Sequence, residues 1–293
     1  MTPLVAAAVL FAAFTHASWN AIAHQITDKL AGFTLIAGGG MLIGLAMVPF
    51  VAFPASGAWP YLGASAVIHL AYYVLLMRSF RLGDFGQAYP IARGTAPLVV
   101  TLLAALFAHE VPDGWAAAGI ALSCAGLTGV ALWGLRGRRP NWAAVGAALA
   151  TGLTIAGYTV VDGLGVRASG SSLGYIAWLM AVEGIALPAY ALYRWRGGFT
   201  AVLRPFAGVG LLGAALSVLA YGLVLWAQTR AELAPIAALR ESSVNPRSRG
   251  NNFTGQLVKA WTRRTNSWGR SSGIVRCTRT SAAMALPVRE ASA

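Results

Sequence analysis

Charge is what this chain has least of. Asp, Glu, Lys and Arg make up 11% of its 293 residues, and only nine are acidic, whereas soluble domains carry roughly a quarter charged residues. That shortage excludes a soluble enzyme. Cysteine is almost absent as well: Cys124 and Cys277 form neither a disulfide framework nor a metal-ligating pattern, so neither a metal nor a cofactor is expected. The signatures of catalysis are missing too. His109-Glu110-Val111-Pro112 lacks the second His of a zinc-protease helix, and the chain contains no Gly-rich phosphate loop ending in Lys. The chain is therefore not expected to be an enzyme. A membrane enzyme acting on lipid-linked substrates, the rival class, would need acids or histidines clustered at one membrane face, and here they are mostly scattered.

What the chain has in abundance is apolar length. Hydrophobic residues make up 57% and the mean hydropathy is +0.63. A helix crossing the hydrocarbon core needs about 20 mainly apolar residues. Such segments are predicted at 3 to 23, 31 to 53, 60 to 78, 85 to 108, 114 to 134, 142 to 164, 172 to 193 and 205 to 228. The first lacks a basic leader and precedes seven more, so it reads as a retained span rather than a signal peptide. Gly and Ala fill the interiors, as in Ile36 to Gly44 and Gly146 to Gly157, which suits close helix packing in lipid.

The net charge of +13 has two sources. Residues 1 to 244 carry +5 and residues 245 to 293 carry +8. Loops after odd-numbered segments hold nine Lys or Arg (Lys29, Arg78, Arg81, Arg136, Arg138, Arg139, Arg194, Arg196 and Arg204), while the opposite side holds Arg167 and Arg230. The positive-inside rule puts the odd-numbered loops in the cytoplasm and the amino terminus outside. This basic balance predicts contact with membrane lipid and no nucleic acid.

The sequence repeats itself. YYVLLMRSFRLGDFGQAYPIAR at 72 to 93 is echoed by YGLVLWAQTRAELAPIAALR at 221 to 240, with Tyr73 and Tyr221 148 positions apart and Arg93 and Arg240 147 apart. A repeated unit of five spans, an odd number, inserts its second copy upside down, with a binding site near the midplane between the halves.

These residues carry a family resemblance. His16-Ala17-Ser18-Trp19-Asn20, Tyr89-Pro90-Ile91-Ala92-Arg93-Gly94 with Ala96-Pro97, His109-Glu110, the stretch Tyr158 to Arg167 and Pro235 to Ser243 together resemble the EamA-like transporters of the drug/metabolite transporter superfamily. The resemblance covers residues 1 to 244. It implies an all-α polytopic membrane protein built as an inverted repeat of five-helix units, with ten helices in the family and eight complete ones here. Residues 1 to 138 would form the first unit, 139 to 244 an incomplete second unit, and 245 to 293 a basic, disordered tail. It also implies a secondary transporter of a small metabolite, usually outward, in the bacterial inner membrane, with no cofactor.

Ionisable groups inside spans cost roughly 2.5 to 3.5 kcal/mol on insertion scales, which makes them functional candidates. Arg93 and Arg240 occupy matching places in the two repeats and suit bidentate capture of a carboxylate, phosphate or phosphonate. The alternative is that each pairs with a buried carboxylate, with Glu241, Asp162 and Glu183 available. Glu183, near the middle of the seventh segment, and Asp162, at the end of the sixth, are proton-coupling candidates. His16 and Asn20, four apart on one helical face, and His69 offer polar groups either to substrate or to helix packing. Tyr89, like Tyr72, Tyr73 and Trp178, reads equally as a stacking surface or as a packing residue. Pro90 and Pro97 weaken the fourth helix, as a hinge or a cavity lining.

The family pattern breaks off after Val244. Asn245-Pro246 stops a helix and the Arg-rich continuation cannot span a bilayer. The expectation is a shift of reading frame near codon 244, with a natural basic tail as the alternative, and an inactive truncated relic as the alternative to a working transporter. Translation of the other two frames downstream of Ser243 is expected to give two apolar segments; if neither frame does, the frameshift is refuted.

Overall fold

The computed structural model describes residues 1–82, 85–135 and 141–241. Among the described residues the chain is helical throughout, without a strand. The helices are α1 (Pro3–Gln25), α2 (Lys29–Met47), α3 (Trp59–Leu82), α4 (Phe85–Phe107), α5 (Gly114–Leu135), α6 (Trp142–Ala168), α7 (Ser172–Glu183), α8 (Ala186–Trp195), α9 (Phe199–Leu203), α10 (Ala207–Gln228) and α11 (Leu233–Glu241). Six helical stretches are long and apolar enough to cross a membrane: Pro3–Ala23, Lys29–Phe50, Ser56–Ser79, Pro90–Phe107, Trp142–Ala168 and Ser172–Gln228. Gly114–Gly129 is apolar but shorter. The chain is an integral, multi-pass membrane protein.

Local sequence explains where several helices begin. Thr2 caps α1 ahead of Pro3, whose missing N–H costs nothing in a first turn, and Asp28 accepts the Ala31 N–H at 3.1 Å to start α2. Asn141 caps α6 through the Ala143 and Ala144 N–H groups, while its amide donates to the Leu82 carbonyl at 2.8 Å, so the start of α6 is tied to the end of α3. Ser171 caps α7 by accepting the Gly174 N–H at 3.0 Å.

Two predicted boundaries are corrected. The segment at 172 to 193 is two helices, interrupted at Gly184 and Ile185. Pro188 has no N–H to give the Gly184 carbonyl, so one helical hydrogen bond is missing at the break. Glu183 thus ends α7 at a break rather than sitting inside a continuous helix. Asp162 does not end the sixth segment: α6 runs on to Ala168, with Leu233 against Gly163 and Tyr175 against Gly165, and Asp162 is fully buried. Pro90 and Pro97 both lie inside an unbroken α4. The frameshift expectation, the tail at 245 to 293 and the last residues of the predicted ninth helix lie outside the described residues.

Packing pairs α3 with α6, α1 with α10, α4 with α5 and α6, and α2 with α7, α8 and α10; α11 lies against α4, α1 and α5. Glycines set how closely α2 and α7 approach. A Cβ on Gly44 would stand 2.6 Å from the Ala177 carbonyl oxygen, and one on Gly184 would stand 2.5 Å from that of Ala37. Backbone meets backbone there, and no side-chain adjustment relieves the clash. Gly119 on α5 has nothing within 4 Å of such an atom. Gly44→Ala is expected to lower stability by about 1 to 3 kcal/mol through overpacking. Gly119→Ala should be neutral or stabilising by helix propensity. Thermal unfolding in detergent compares the two, and equal midpoints would refute the close α2–α7 contact.

Candidate functional site

Three charged groups meet in the apolar interior. Arg93 on α4 donates from Nη1 to Glu241 Oε1 at 3.0 Å, and Arg240 Nε approaches the same oxygen at 3.4 Å. All three side chains are at most 2% exposed. Arg240 Nη2 also donates to Thr159 Oγ1 of α6 at 3.3 Å. The cluster therefore ties α4, α11 and α6 together. The alternative reading of the sequence, Arg paired with a buried carboxylate, describes this arrangement, with Glu241 serving both arginines. Pro97 sits one turn after Arg93 and offers its carbonyl no N–H.

A second polar centre lies one turn further along α6. Asp162 Oδ1 accepts the Tyr175 hydroxyl at 2.9 Å, and Oδ2 accepts that of Tyr221. Ser65 on α3 also hydrogen-bonds Asp162. Three hydroxyls thus satisfy one buried carboxylate. His69, four residues beyond Ser65 and on the same face of α3, has its Nδ1 3.0 Å from the Ser65 carbonyl and 3.1 Å from its Oγ. The His69 ring stacks on Tyr158, with centroids 4.1 Å apart and planes at 23°, and meets Tyr221 edge-on at 5.5 Å. Tyr72 lies 5.6 Å from Tyr158 and 5.3 Å from Tyr73.

Glu183 lies beside His69. Its Oε2 lies 3.3 Å from His69 Nδ1, yet that contact lacks hydrogen-bond geometry and the oxygen accepts no hydrogen bond. The break after α7 sets the carboxylate at the end of a half-helix, where the backbone dipole is negative.

The remaining predicted residues are less central. Trp19 Nε1 donates to His16 Nδ1 at 3.2 Å and Asn20 Nδ2 donates to the His16 carbonyl at 2.9 Å, so both polar groups are bonded within α1. His16 is nonetheless within electrostatic reach of Arg93 and Arg240. The side chain of Tyr89 lies outside the described residues. Among the described residues no group of three or more His, Cys, Asp or Glu is arranged to hold a metal.

Sequence reasoning missed Ser65, Tyr175 and the part played by Tyr158. Four-residue spacings joining Ser65 to His69 and Tyr158 to Asp162 were the available signal. It also missed a polar clamp at one membrane face. His109 adopts a left-handed conformation (φ 55°) that ends α4 and turns Glu110 inward. Arg167 then donates to Glu110 Oε1 at 2.5 Å, to the Gln228 carbonyl at 2.7 Å and to the Ala231 carbonyl at 2.9 Å. Glu110 Oε2 accepts the Leu233 N–H at 2.7 Å, and the Ala55 N–H donates to the Ser169 carbonyl at 3.1 Å.

Comparison with known proteins bears on what these centres serve. Residues 4–132 match the sequence model of the EamA-like transporter family. A search of curated proteins finds no match. A solved structure titled only as the crystal structure of a protein superposes with a TM-score of 0.60 at 15% identity, over 93% of this chain and 100% of that one. At that identity the likeness speaks for the fold alone.

Removing Glu241 would strand two guanidinium groups in the core. Glu241→Gln is expected to destabilise the protein by about 3 to 5 kcal/mol, the usual cost of breaking a buried ion pair from one side. Thermal unfolding in detergent reads the shift, and an unchanged midpoint would refute the shared ion pair.

Proposed function

Taking residues 4–132 as EamA-like transporter sequence, we propose that this chain is a secondary transporter that moves a small, anionic metabolite outward across a bacterial inner membrane, by alternating access of two inverted repeats. The observation that carries the reading is the convergence of Arg93 and Arg240, at equivalent places in the two repeats, on one buried carboxylate. Two guanidinium groups brought side by side suit bidentate capture of an incoming carboxylate, phosphate or phosphonate. His16 and Asn20 complete that end of the path, Pro90 and Pro97 are its hinge, and Glu183 and Asp162 handle the coupling proton.

The packing supports the inverted repeat. Shifting the helix order by five exchanges α1 with α6, α2 with α7 and α8, α3 with α10, and α4 with α11. Under that exchange the α3–α6 pair becomes α10–α1, α4–α6 becomes α11–α1, α2–α10 becomes α7–α3, and α2–α7 maps onto itself; each pair is in contact. Eight passes are supported by the loops. At about 1.5 Å per residue, the 57 residues of Ser172–Gln228 are far too long for one crossing of a 30 Å core. Two passes, α7 with α8 and then α10, account for them. Loops after the second, fourth, sixth and eighth passes are hydrogen-bonded to one another through Ala55, Glu110, Ser169, Arg167 and Ala231, as loops on one face should be. The positive-inside count makes that face the outer one.

Transport is tested with the full chain in phosphatidylethanolamine and phosphatidylglycerol vesicles, measuring uptake of labelled organic acids and phosphonates. Arg93→Ala is expected to abolish transport of the anion that the unaltered chain carries. Arg93→Met, which leaves Glu241 paired one to one with Arg240, should keep stability but not transport. Unchanged transport in either variant would refute the role of the arginine pair.

A further inference from the structure

From the geometry around Glu183 we infer a second binding site, for an organic ammonium group, so that the transported metabolite is a zwitterion. This rests on the proposed function for the negative end of that molecule only. The two buried carboxylates beside α6 differ in one respect. Asp162 is satisfied by three hydroxyls and has no need of a ligand. Glu183, with a side chain only 7% exposed, has an oxygen that accepts no hydrogen bond. A buried acceptor without a donor is costly, and a cationic ligand removes that cost.

The surroundings of Glu183 suit a cation rather than a neutral donor. It sits at the carbonyl end of the half-helix α7, where Met180 and Val182 turn their carbonyls toward the break, and that end is negative. His69, 3.3 Å from Glu183 Oε2, stacks on Tyr158 and meets Tyr221 edge-on, so the carboxylate stands beside an aromatic cluster. Tyr72 and Tyr158 extend the aromatic wall, with ring centroids 5.3 to 5.6 Å from their neighbours. Aromatic rings around a carboxylate are the chemistry that recognises alkylammonium groups. The arginine cluster is linked to the same stretch of α6: Arg240 bonds Thr159, one residue after Tyr158.

Glycine betaine and 3,3-dimethylbutyrate are isosteres that differ only in a quaternary nitrogen in place of a carbon. Binding of each is measured by titration calorimetry on the full chain in detergent, alongside Glu183→Gln, Tyr73→Phe, Tyr73→Leu and Arg93→Ala. Betaine is expected to bind at least tenfold more tightly than 3,3-dimethylbutyrate. Glu183→Gln should reduce that ratio to about one. Tyr73→Phe should keep the ratio and Tyr73→Leu should cut it several-fold. Equal affinity for the two isosteres, a preference that survives Glu183→Gln, or no binding of betaine would overturn the ammonium site. A betaine preference that persists in Arg93→Ala, with both affinities otherwise unchanged, would refute the arginine reading and leave this one standing. Loss of 3,3-dimethylbutyrate binding in Arg93→Ala, with no betaine preference in the unaltered chain, would do the reverse.

Discussion

Inside a bilayer no water is at hand to satisfy a buried polar group, so every charge carried into the apolar core has to find its partner in the protein. Glu241 is where this chain meets that constraint most severely, with two arginines on one carboxylate. The partners come from α4 and α11, far apart in sequence, and a third anchor, Thr159, comes from α6. Misplacing any one of these helices would leave a bare charge in the core. The cluster therefore acts as a register pin for helices whose apolar surfaces, rich in Ala and Gly, would otherwise slide past one another at little cost. Close contacts such as that of Gly44 with the α7 backbone then fix distance, while the ion cluster fixes position along the axis.

The same accounting separates Asp162 from Glu183. Both are acids within apolar helices, but tyrosine hydroxyls on α7 and α10 converge on Asp162, whereas Glu183 stands beside His69. One carboxylate is a junction holding α6, α7 and α10 together; the other is left with unused acceptor capacity. The broken helix makes this difference, since Gly184 and Ile185 end α7 just after the carboxylate and leave no following turn to cover it.

Much of this was legible in the sequence, because hydropathy over twenty residues is a strong signal and lipid tolerates few alternatives. The apolar segments and the start of α6 after Asn141 could be read from hydropathy and turn residues, and Arg93 and Arg240 stood out as charges inside apolar stretches. The break at Gly184 was less visible, although Pro188 four residues later carried the information. Asp162 was misjudged because Gly163 and Gly165 look like an ending; they allow Leu233 and Tyr175 to press against a helix that continues. The hydroxyl cage of Asp162 and the turn of Glu110 toward Arg167 were not readable, since each joins residues more than ten positions apart, and nothing local announces such a partner.

The interior of the molecule and its loop end are held by different kinds of bond, and this sets how easily each could part. The interior pin at Glu241 is dry and short of alternatives, so parting it is expensive. At the membrane face the Arg167 side chain is 32% exposed, and its bonds run to Glu110 and to two loop carbonyls that water can replace at small cost. Exposed ion pairs of this type are worth about 1 kcal/mol or less and weaken as salt rises. Opening at that face therefore works against a latch whose strength depends on the surrounding solution, while the pivot in the bilayer stays insulated from it.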